Sequence, residues 1–235
     1  MPEIELSIVL PCYNEEKNIP AVLERLASVV SGRNVEVVLV NNGSLDNTGK
    51  VLKEEISKNS YKFAKIVKVE KNIGYGFGVM EGLRACKGKF LAFSHADLQC
   101  DPGDIIKAYG LLVSSPNPER VLVKGNRHAR HSIISTIFLL LSSVLFLKKF
   151  SDINAQPKVF HNSLLKLLRK PPNDFTLDFY VQWAALMNRF KVAEISVEFP
   201  ERKHGKSNWS STFSSRLKSM AGFVYYLFKL RIFGD

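Results

Sequence analysis

The stretch LSIVLPCYNEEKNIPAVLERLASVV, residues 6–30, decides the fold. Residues 6–11 read as a buried strand, apolar apart from Ser7. From Ile19 onward the apolar residues Ile19, Val22, Leu23, Leu26, Ala27 and Val30 recur at helical spacing. The same alternation continues outward. Residues 35–40 form an apolar strand interrupted only by Glu36, 46–56 a helix, 64–69 a strand, 78–86 a helix, 90–94 a strand, 102–113 a helix and 121–125 a strand. Such alternation predicts an α/β, Rossmann-like architecture, a mostly parallel central sheet with helices on both faces. In sheets of this kind the ligand lies beyond the carboxyl ends of the strands. That rule selects four segments: residues 11–16, 41–46, 72–78 and 95–101.

A chain of 235 residues with 46% hydrophobic composition fits one large domain, 1–235, and no tandem repeat interrupts it. Cys12, Cys86 and Cys100 are odd in number and far apart, which suggests neither a disulfide framework nor a clustered zinc site. A reducing cytoplasm is expected, and nothing in the first residues reads as an export signal. The formal charge of +11 asks for an anionic partner: nucleic acid, anionic lipid or a phosphorylated substrate. No helix-turn-helix, zinc finger or aromatic RNA-binding sheet motif is present, so nucleic acid is not expected. Part of the excess lies at the end of the chain, where Arg202, Lys203, Lys206, Arg216, Lys218, Lys229 and Arg231 face only Glu201 and Asp235.

After Gly125 the pattern changes. Residues 133–147 carry no charge and are bounded by Arg130 and by Lys148 and Lys149. As a helix this segment extends about 22 Å, short of the roughly 30 Å needed to cross a bilayer. It reads either as a buried core helix or as a helix lying in the lipid interface with flanking cations on phosphates. Residues 220–233, rich in Phe, Tyr and Leu, form a second such segment able to pair with the first. Two apolar segments on one domain favour the interfacial reading.

Three of the four selected segments carry candidate chemistry. His95, Asp97 and Gln99 stand at alternate positions after a strand, and in an extended segment they would share one side. Together they offer an imidazole, a hard carboxylate and a carbonyl oxygen to a divalent ion bridging a pyrophosphate. The ordinary reading is a turn, with Asp101 capping the helix that starts at Pro102. Asn72, Gly74, Gly76 and Gly78 lie between a strand and a helix, where glycines let the backbone approach a phosphate or sugar. Asn42 and Ser44 project beyond the sheet edge where a base or ribose must be bonded; the plain alternative is a loop closed by Gly43 with Asp46 capping the next helix. There is no Walker-type phosphate loop.

In this order the motifs resemble the family 2 glycosyltransferases of GT-A fold, in particular the branch containing dolichyl-phosphate mannosyltransferase. Pro11-Cys-Tyr13-Asn14-Glu15-Glu16 resembles its opening Pro-x-Tyr-Asn-Glu, Val40-Asn-Asn42-Gly43-Ser44 its Val-Asp-Asp-Gly-Ser, and His95-Ala-Asp97-Leu-Gln99 its Asp-Ala-Asp-Leu-Gln metal motif. Asp152-Ile-Asn-Ala-Gln156-Pro157, Leu177-Asp178 and Arg202-Lys-His-Gly205-Lys-Ser207 resemble later landmarks. The resemblance implies a nucleotide-sugar-binding half, 1–126, and an acceptor- and membrane-facing half, 127–235. It implies that Pro11, Tyr13, Glu15, Asn42, Ser44, Asn72, Gly76 and Ala96 hold the nucleotide sugar. Asp97 and Gln99, with His95 as a third candidate, would bind Mn²⁺ or Mg²⁺. Arg127, Arg202, Lys206 and Ser207 would meet phosphate charge, and Asp178 is the acidic group nearest the acceptor. Asp178, Asp97, Arg127 and Arg202 are thus the candidate catalytic residues.

Two departures stand out. His95 replaces the first carboxylate of the metal motif, which favours Mn²⁺ over Mg²⁺ if the imidazole ligates. Asn41 and Asn42 replace the Asp pair of the nucleoside loop, which keeps hydrogen bonding but loses charge. The expected reaction is an inverting single displacement from a nucleoside-diphosphate-sugar to a polyprenyl phosphate or related membrane acceptor. The enzyme would sit in the cytoplasm, peripheral at the inner face of the membrane. With a saccharide hydroxyl as acceptor, as in a cell-surface polysaccharide transferase, Asp178 becomes the candidate base. A third reading is a non-catalytic relative that binds the nucleotide sugar.

Overall fold

The computed structural model of the chain describes residues 3–58, 61–127, 133–200 and 213–234. The opening strand, β1 (Leu6–Cys12), leads to helix α1 (Ile19–Val30), which buries Ile19, Val22, Leu23, Leu26 and Val30 on one face. Then follow β2 (Val35–Asn42), α2 (Thr48–Ser57), β3 (Ala64–Val69), α3 (Tyr75–Arg84), β4 (Phe90–Phe93), α4 (Pro102–Val113) and β5 (Val121–Asn126). Every predicted element is present. Both opening strands run farther than periodicity indicates, to Cys12 and Asn42, because the ladder between them continues to the Cys12–Asn41 pair. Helix α2 begins two residues later than expected, since Asp46 Oδ1 accepts the Thr48 amide before the helix starts.

The second half of the chain adds elements that alternation alone did not reveal. Helix α5 (Ile133–Phe146) is followed by β6 (Lys158–His161), the short α6 (Asn162–Leu165), α7 (Leu177–Met187), β7 (Lys191–Ser196) and α8 (Phe213–Phe233). The seven strands form one sheet in the order β3-β2-β1-β4-β6-β5-β7. β6 is antiparallel to both β4 and β5, while the other pairings are parallel. Both sequence halves therefore contribute to a single sheet. β6 begins at the edge where β1, β2, β4, β5 and β7 end, so residues 152–158 arrive at the edge selected for ligands.

Alternate side chains feed two cores. Leu6, Ile8, Leu10, Val37 and Leu39 pack with α1 and α4 on one face, while Val9, Val38, Val40, Leu91 and Phe160 pack with α3 and α7 on the other. Each fully buried aliphatic side chain contributes about 2 kcal/mol. At the opposite edge from the ligand segments, buried Glu36 accepts the Ser7 hydroxyl at 2.6 Å and the Lys87 amide at 2.5 Å, and pairs with Lys65 at 2.7 Å. This carboxylate fastens β1, β2, β3 and the entry to β4. Burial alone would raise it, but the bonds from Lys65 and Ser7 hold Glu36 below the usual carboxylate range.

Helix α3 lies close against β1 and β2 because Gly82 has no side chain. A Cβ there would stand 2.3 Å from Val9 Cγ1 and 2.8 Å from Val40 Cγ2. Gly110, within α4, has open space around its Cα. Gly82→Ala should therefore destabilise the fold by about 1–3 kcal/mol. Gly110→Ala should stabilise it by up to about 1 kcal/mol through helix propensity alone. Urea unfolding of the two variants measures the contrast, and equal effects would refute the close-packing account.

Candidate active site

Loops at the carboxyl edge of β1 and β2 are bonded to one another before any ligand arrives. Parallel pairing sets Cys12 opposite Asn41. From there Asn14, in the left-handed region at φ 57°, donates its amide to Ser44 Oγ at 3.2 Å and accepts the Leu45 amide at 2.8 Å. Glu15 donates its amide to Thr48 Oγ1 at 2.8 Å, and Glu16 accepts the Asn47 amide at 3.0 Å. The predicted residues Pro11, Tyr13, Glu15 and Ser44 are thus gathered at one rim, partly buried. Ser44 is further tied by its own amide, which donates to Asn41 Oδ1 at 3.2 Å.

Asn42 lies beneath this rim, 2% exposed, with its Nδ2 donating to Gly74 O at 3.1 Å and its Oδ1 buried without a partner among the described residues. Gly78 makes room for it: a Cβ there would meet the Asn42 amide at 2.6 Å. Gly43, at φ 67°, faces the Asn72 amide so closely that a Cβ would stand 2.3 Å away. The Asn72 side chain accepts the Gly74 amide at 2.8 Å. Gly74 and Gly76 make room for another part of the chain. A Cβ at either would collide with the backbone of residues 172–174, at 2.1 Å from Asn173 O and 2.3 Å from Pro172 O. The glycines let the segment before α7 close over the start of α3, where the Phe77 amide donates to Asn173 O at 3.1 Å.

β4 stops at Phe93, and the segment carrying His95, Asp97 and Gln99 is not extended. Leu98 adopts φ 60°, and the Gln99 amide donates to Asp97 Oδ1 at 3.1 Å. A turn, not strand alternation, brings Asp97 and Gln99 together. Asp97 is 2% exposed and Ala96 is buried beside it. The Gln99 side chain donates to Pro200 O at 2.9 Å, which ties this loop to the segment following β7. The His95 ring packs against Tyr75 with centroids 5.6 Å apart, and Tyr75 stacks on Phe175 at 4.9 Å. Cys100 ends the loop; burial, followed by the charge of Asp97, pushes its thiol up to about 12. Asp101 caps α4 as expected, accepting the Gly103 amide at 2.9 Å, and also forms a two-bond pair with Arg25.

Three ion pairs converge between β5, β6, β7 and α7. Arg127 donates to both oxygens of Asp152, at 3.0 and 2.6 Å, and lies over the Phe199 ring. Lys124 pairs with Glu194 at 3.3 Å, and burial lowers its ammonium to about 8. Lys158 meets Asp178 Oδ1 at 2.5 Å, with neither side chain more than 2% exposed. Gln156 Nε2 donates to the same oxygen at 2.8 Å and lies 3.3 Å from the Tyr75 hydroxyl. Burial, and then the Asp178 charge, holds the Tyr75 phenol well above its ordinary value.

The structure thus gathers two groups along one edge: Pro11, Tyr13, Glu15, Asn42, Ser44, Asn72 and Gly76 on the β1–β3 side, and Asp97, Gln99, Arg127 and Asp178 toward β4–β6. Arg202, Lys206 and Ser207 lie outside the described residues. The sequence alone does not single out Lys124 or Lys158, and it gives Gln156 only as part of a landmark, without a role. Lys158 sits within the apolar strand KVFH and Lys124 within VLVKGN, and a lysine inside such a run was the available signal. No group of three or more His, Cys, Asp or Glu side chains able to hold a metal occurs among the described residues. Asp97 with the Gln99 amide is a sparse donor set, suited to an ion that takes its remaining ligands from a diphosphate.

The family model for glycosyl transferase family 2 matches residues 7–195. Dodecaprenyl-phosphate galacturonate synthase of Rhizobium johnstonii is 26% identical over 239 residues, covering 97% of this chain and 69% of the relative. An undecaprenyl-phosphate 4-deoxy-4-formamido-L-arabinose transferase of Pseudomonas savastanoi is 32% identical over 108 residues, 45% of this chain and 32% of the relative. The chain thus spans between about a third and two thirds of these two relatives. Glucosyl-3-phosphoglycerate synthase from Mycobacterium tuberculosis, solved with Mn²⁺, UDP and glucosyl-3-phosphoglycerate, superposes with a TM-score of 0.74 at 19% identity, covering 97% of this chain and 79% of that one. The shared fold is GT-A, and the chain belongs to glycosyl transferase family 2.

Proposed function

We propose that the protein is an inverting transferase that moves a sugar from a nucleoside-diphosphate donor to a polyprenyl phosphate while resting on a membrane surface. One observation carries the acceptor class: helix α5 departs from the edge that bears Asp97 and presents an apolar face to solvent. Ile137, Leu140 and Val144 are 61%, 65% and 64% exposed at helical spacing, while Phe138, Leu139 and Leu141 on other faces pack toward the core. Phe138 meets Phe223 of α8 at 5.1 Å, and α8 adds exposed Tyr225, Phe228 and Ile232 to the rim. Exposed Lys148, Lys149, Lys229 and Arg231 accompany these side chains. Apolar side chains with cations beside them suit the boundary of an anionic bilayer. None of the described helices is long and apolar enough to cross a membrane. The names of the relatives from Rhizobium and Pseudomonas, which state polyprenyl-phosphate products or acceptors, support the same class.

On this reading Asp97 and Gln99 hold a divalent ion, Mn²⁺ or Mg²⁺, which when bound supplies charge neutralisation at the donor diphosphate. His95, packed on Tyr75, sits within the same loop as a further candidate ligand. Pro11, Tyr13, Glu15, Asn42 and Ser44 receive the nucleoside, with the loops already bonded into place. Arg127 presents a guanidinium oriented by Asp152, and Arg202, Lys206 and Ser207 supply further phosphate contacts from the segment after Pro200. The work takes place at the cytoplasmic face, where the protein binds peripherally.

Thermal unfolding against UDP-, GDP-, CDP- and dTDP-sugars, with and without Mn²⁺, tests the donor side, because a ligand bound only to the folded state raises stability. One nucleotide should give a metal-dependent rise, and Asp97→Ala should abolish it along with at least about a hundredfold of transfer. Normal turnover by Asp97→Ala would remove the metal assignment. On the acceptor side, the protein should float with vesicles containing anionic lipid. Ile137→Glu combined with Val144→Glu should cut that binding about tenfold or more while leaving the donor-induced shift intact; undiminished flotation would detach α5 from the lipid.

A further inference from the structure

Asp178 is the one acidic side chain buried at the start of α7, and with a hydroxyl acceptor it would be the natural base. Its surroundings are those of a carboxylate prevented from acting as one. Lys158 Nζ and Gln156 Nε2 both donate to Oδ1, at 2.5 and 2.8 Å. Lys158 is held in turn, donating to Ala155 O at 3.2 Å and lying 5.4 Å from the centre of the Phe93 ring. It cannot swing away from the pair without leaving hydrogen bonds unmade in the core. Asp178 also occupies the first turn of α7, where the helix dipole favours negative charge. In the sheet register Lys158 stands opposite Lys124, which is itself fully buried and answered by Glu194. An Asp178 carboxylate drawn away from this pair would leave Lys158 as a buried cation without its anion, a costly state.

We infer that Lys158 is a positioning residue that engages the Asp178 carboxylate and withholds it from service as a base, so that the site uses only an acceptor whose attacking oxygen is already ionised. This inference rests on the acceptor class proposed above. With a phosphate acceptor, an oxygen lone pair forms the new bond to the anomeric carbon as the bond from that carbon to the donor diphosphate breaks. The electron pair leaves with the diphosphate, and no proton changes hands. Water attacking the same carbon would have to lose a proton to a base, and with Asp178 clamped that route is slow. The clamp therefore protects the donor from hydrolysis while the site waits for lipid.

The test follows UDP-[¹⁴C]glucose and UDP-[¹⁴C]galacturonate, with Mn²⁺, into free sugar and into lipid-linked sugar on a short-chain prenyl phosphate. Lys158→Met should raise the ratio of hydrolysis to transfer by about tenfold or more, and adding Asp178→Asn should bring it back toward the wild-type value. A merely structural role for Lys158 would lower both products together and leave the ratio unmoved, which would overturn the inference. Should Lys158→Met fail to fold, the wild-type protein decides with matched acceptors. The prenyl phosphate should be labelled at least about a hundredfold faster than the corresponding prenyl alcohol, and comparable labelling of the alcohol would overturn the clamp. A wild type that hydrolyses donor but labels no prenyl phosphate would sink the acceptor class instead, and the hydrolysis rates of the variants would still report on Lys158.

Discussion

A charge withdrawn from water has to be met by another, and this requirement organises the half of the molecule that periodicity leaves unreadable. Lys158, Lys124 and Arg127 are each placed by β5, β6 or the residue just after β5, and each is answered by a carboxylate from elsewhere: Asp178 on α7, Glu194 on β7 and Asp152 in the approach to β6. A buried pair of this kind is a poor source of net stability, since desolvation offsets much of the attraction. It is effective at selecting one arrangement, because a shifted α7 or β7 would strand a cation in the core. The apolar packing of α7 around Phe179, Val181 and Ala184 supplies the binding energy, and the pairs specify where α7 sits. Asp178, at the head of that helix, inherits its position.

Parallel pairing does comparable work on the other side of the site. Once Cys12 is registered against Asn41, the two following loops have little choice but to meet, and Asn14, Ser44 and Thr48 supply the bonds that join them. On the proposed reading, in which these loops receive a nucleoside, little ordering is left to be done, which lowers the entropic cost of binding. The Asn41–Asn42 replacement fits this arrangement. Each side chain has a neutral bonding role within the protein, Asn41 toward Ser44 and Asn42 toward Gly74, that a carboxylate in place of the Asn42 amide could not fulfil as a donor.

The first 126 residues were legible because parallel strands buried on both faces read as apolar runs and their helices as amphipathic ones. Residues such as Asp97 and Asn42 were legible from their places at strand ends. Three things were not. The turn through Leu98 is hidden, because a left-handed leucine carries no local mark, and alternation alone sets His95, Asp97 and Gln99 along one side of a strand. The glycines at 74 and 76 pointed to close backbone approach correctly, but the sequence holds no record that the neighbour is residues 172–174, a hundred positions away. β6 was missed since four residues led by a lysine fall below any period, and only the tertiary fold supplies the aspartate that makes Lys158 tolerable there.

The excursion that carries α5 leaves the sheet at the end of β5 and rejoins it at the start of β6, both on the same rim, because β6 runs against its neighbours. A segment whose two ends are moored side by side can change its length at the far end without shifting the register of β5 against β6. On the proposed reading, the surface that meets lipid can therefore change its extent while the pairing of β5 with β6, and the residues at their rim, stay where they are.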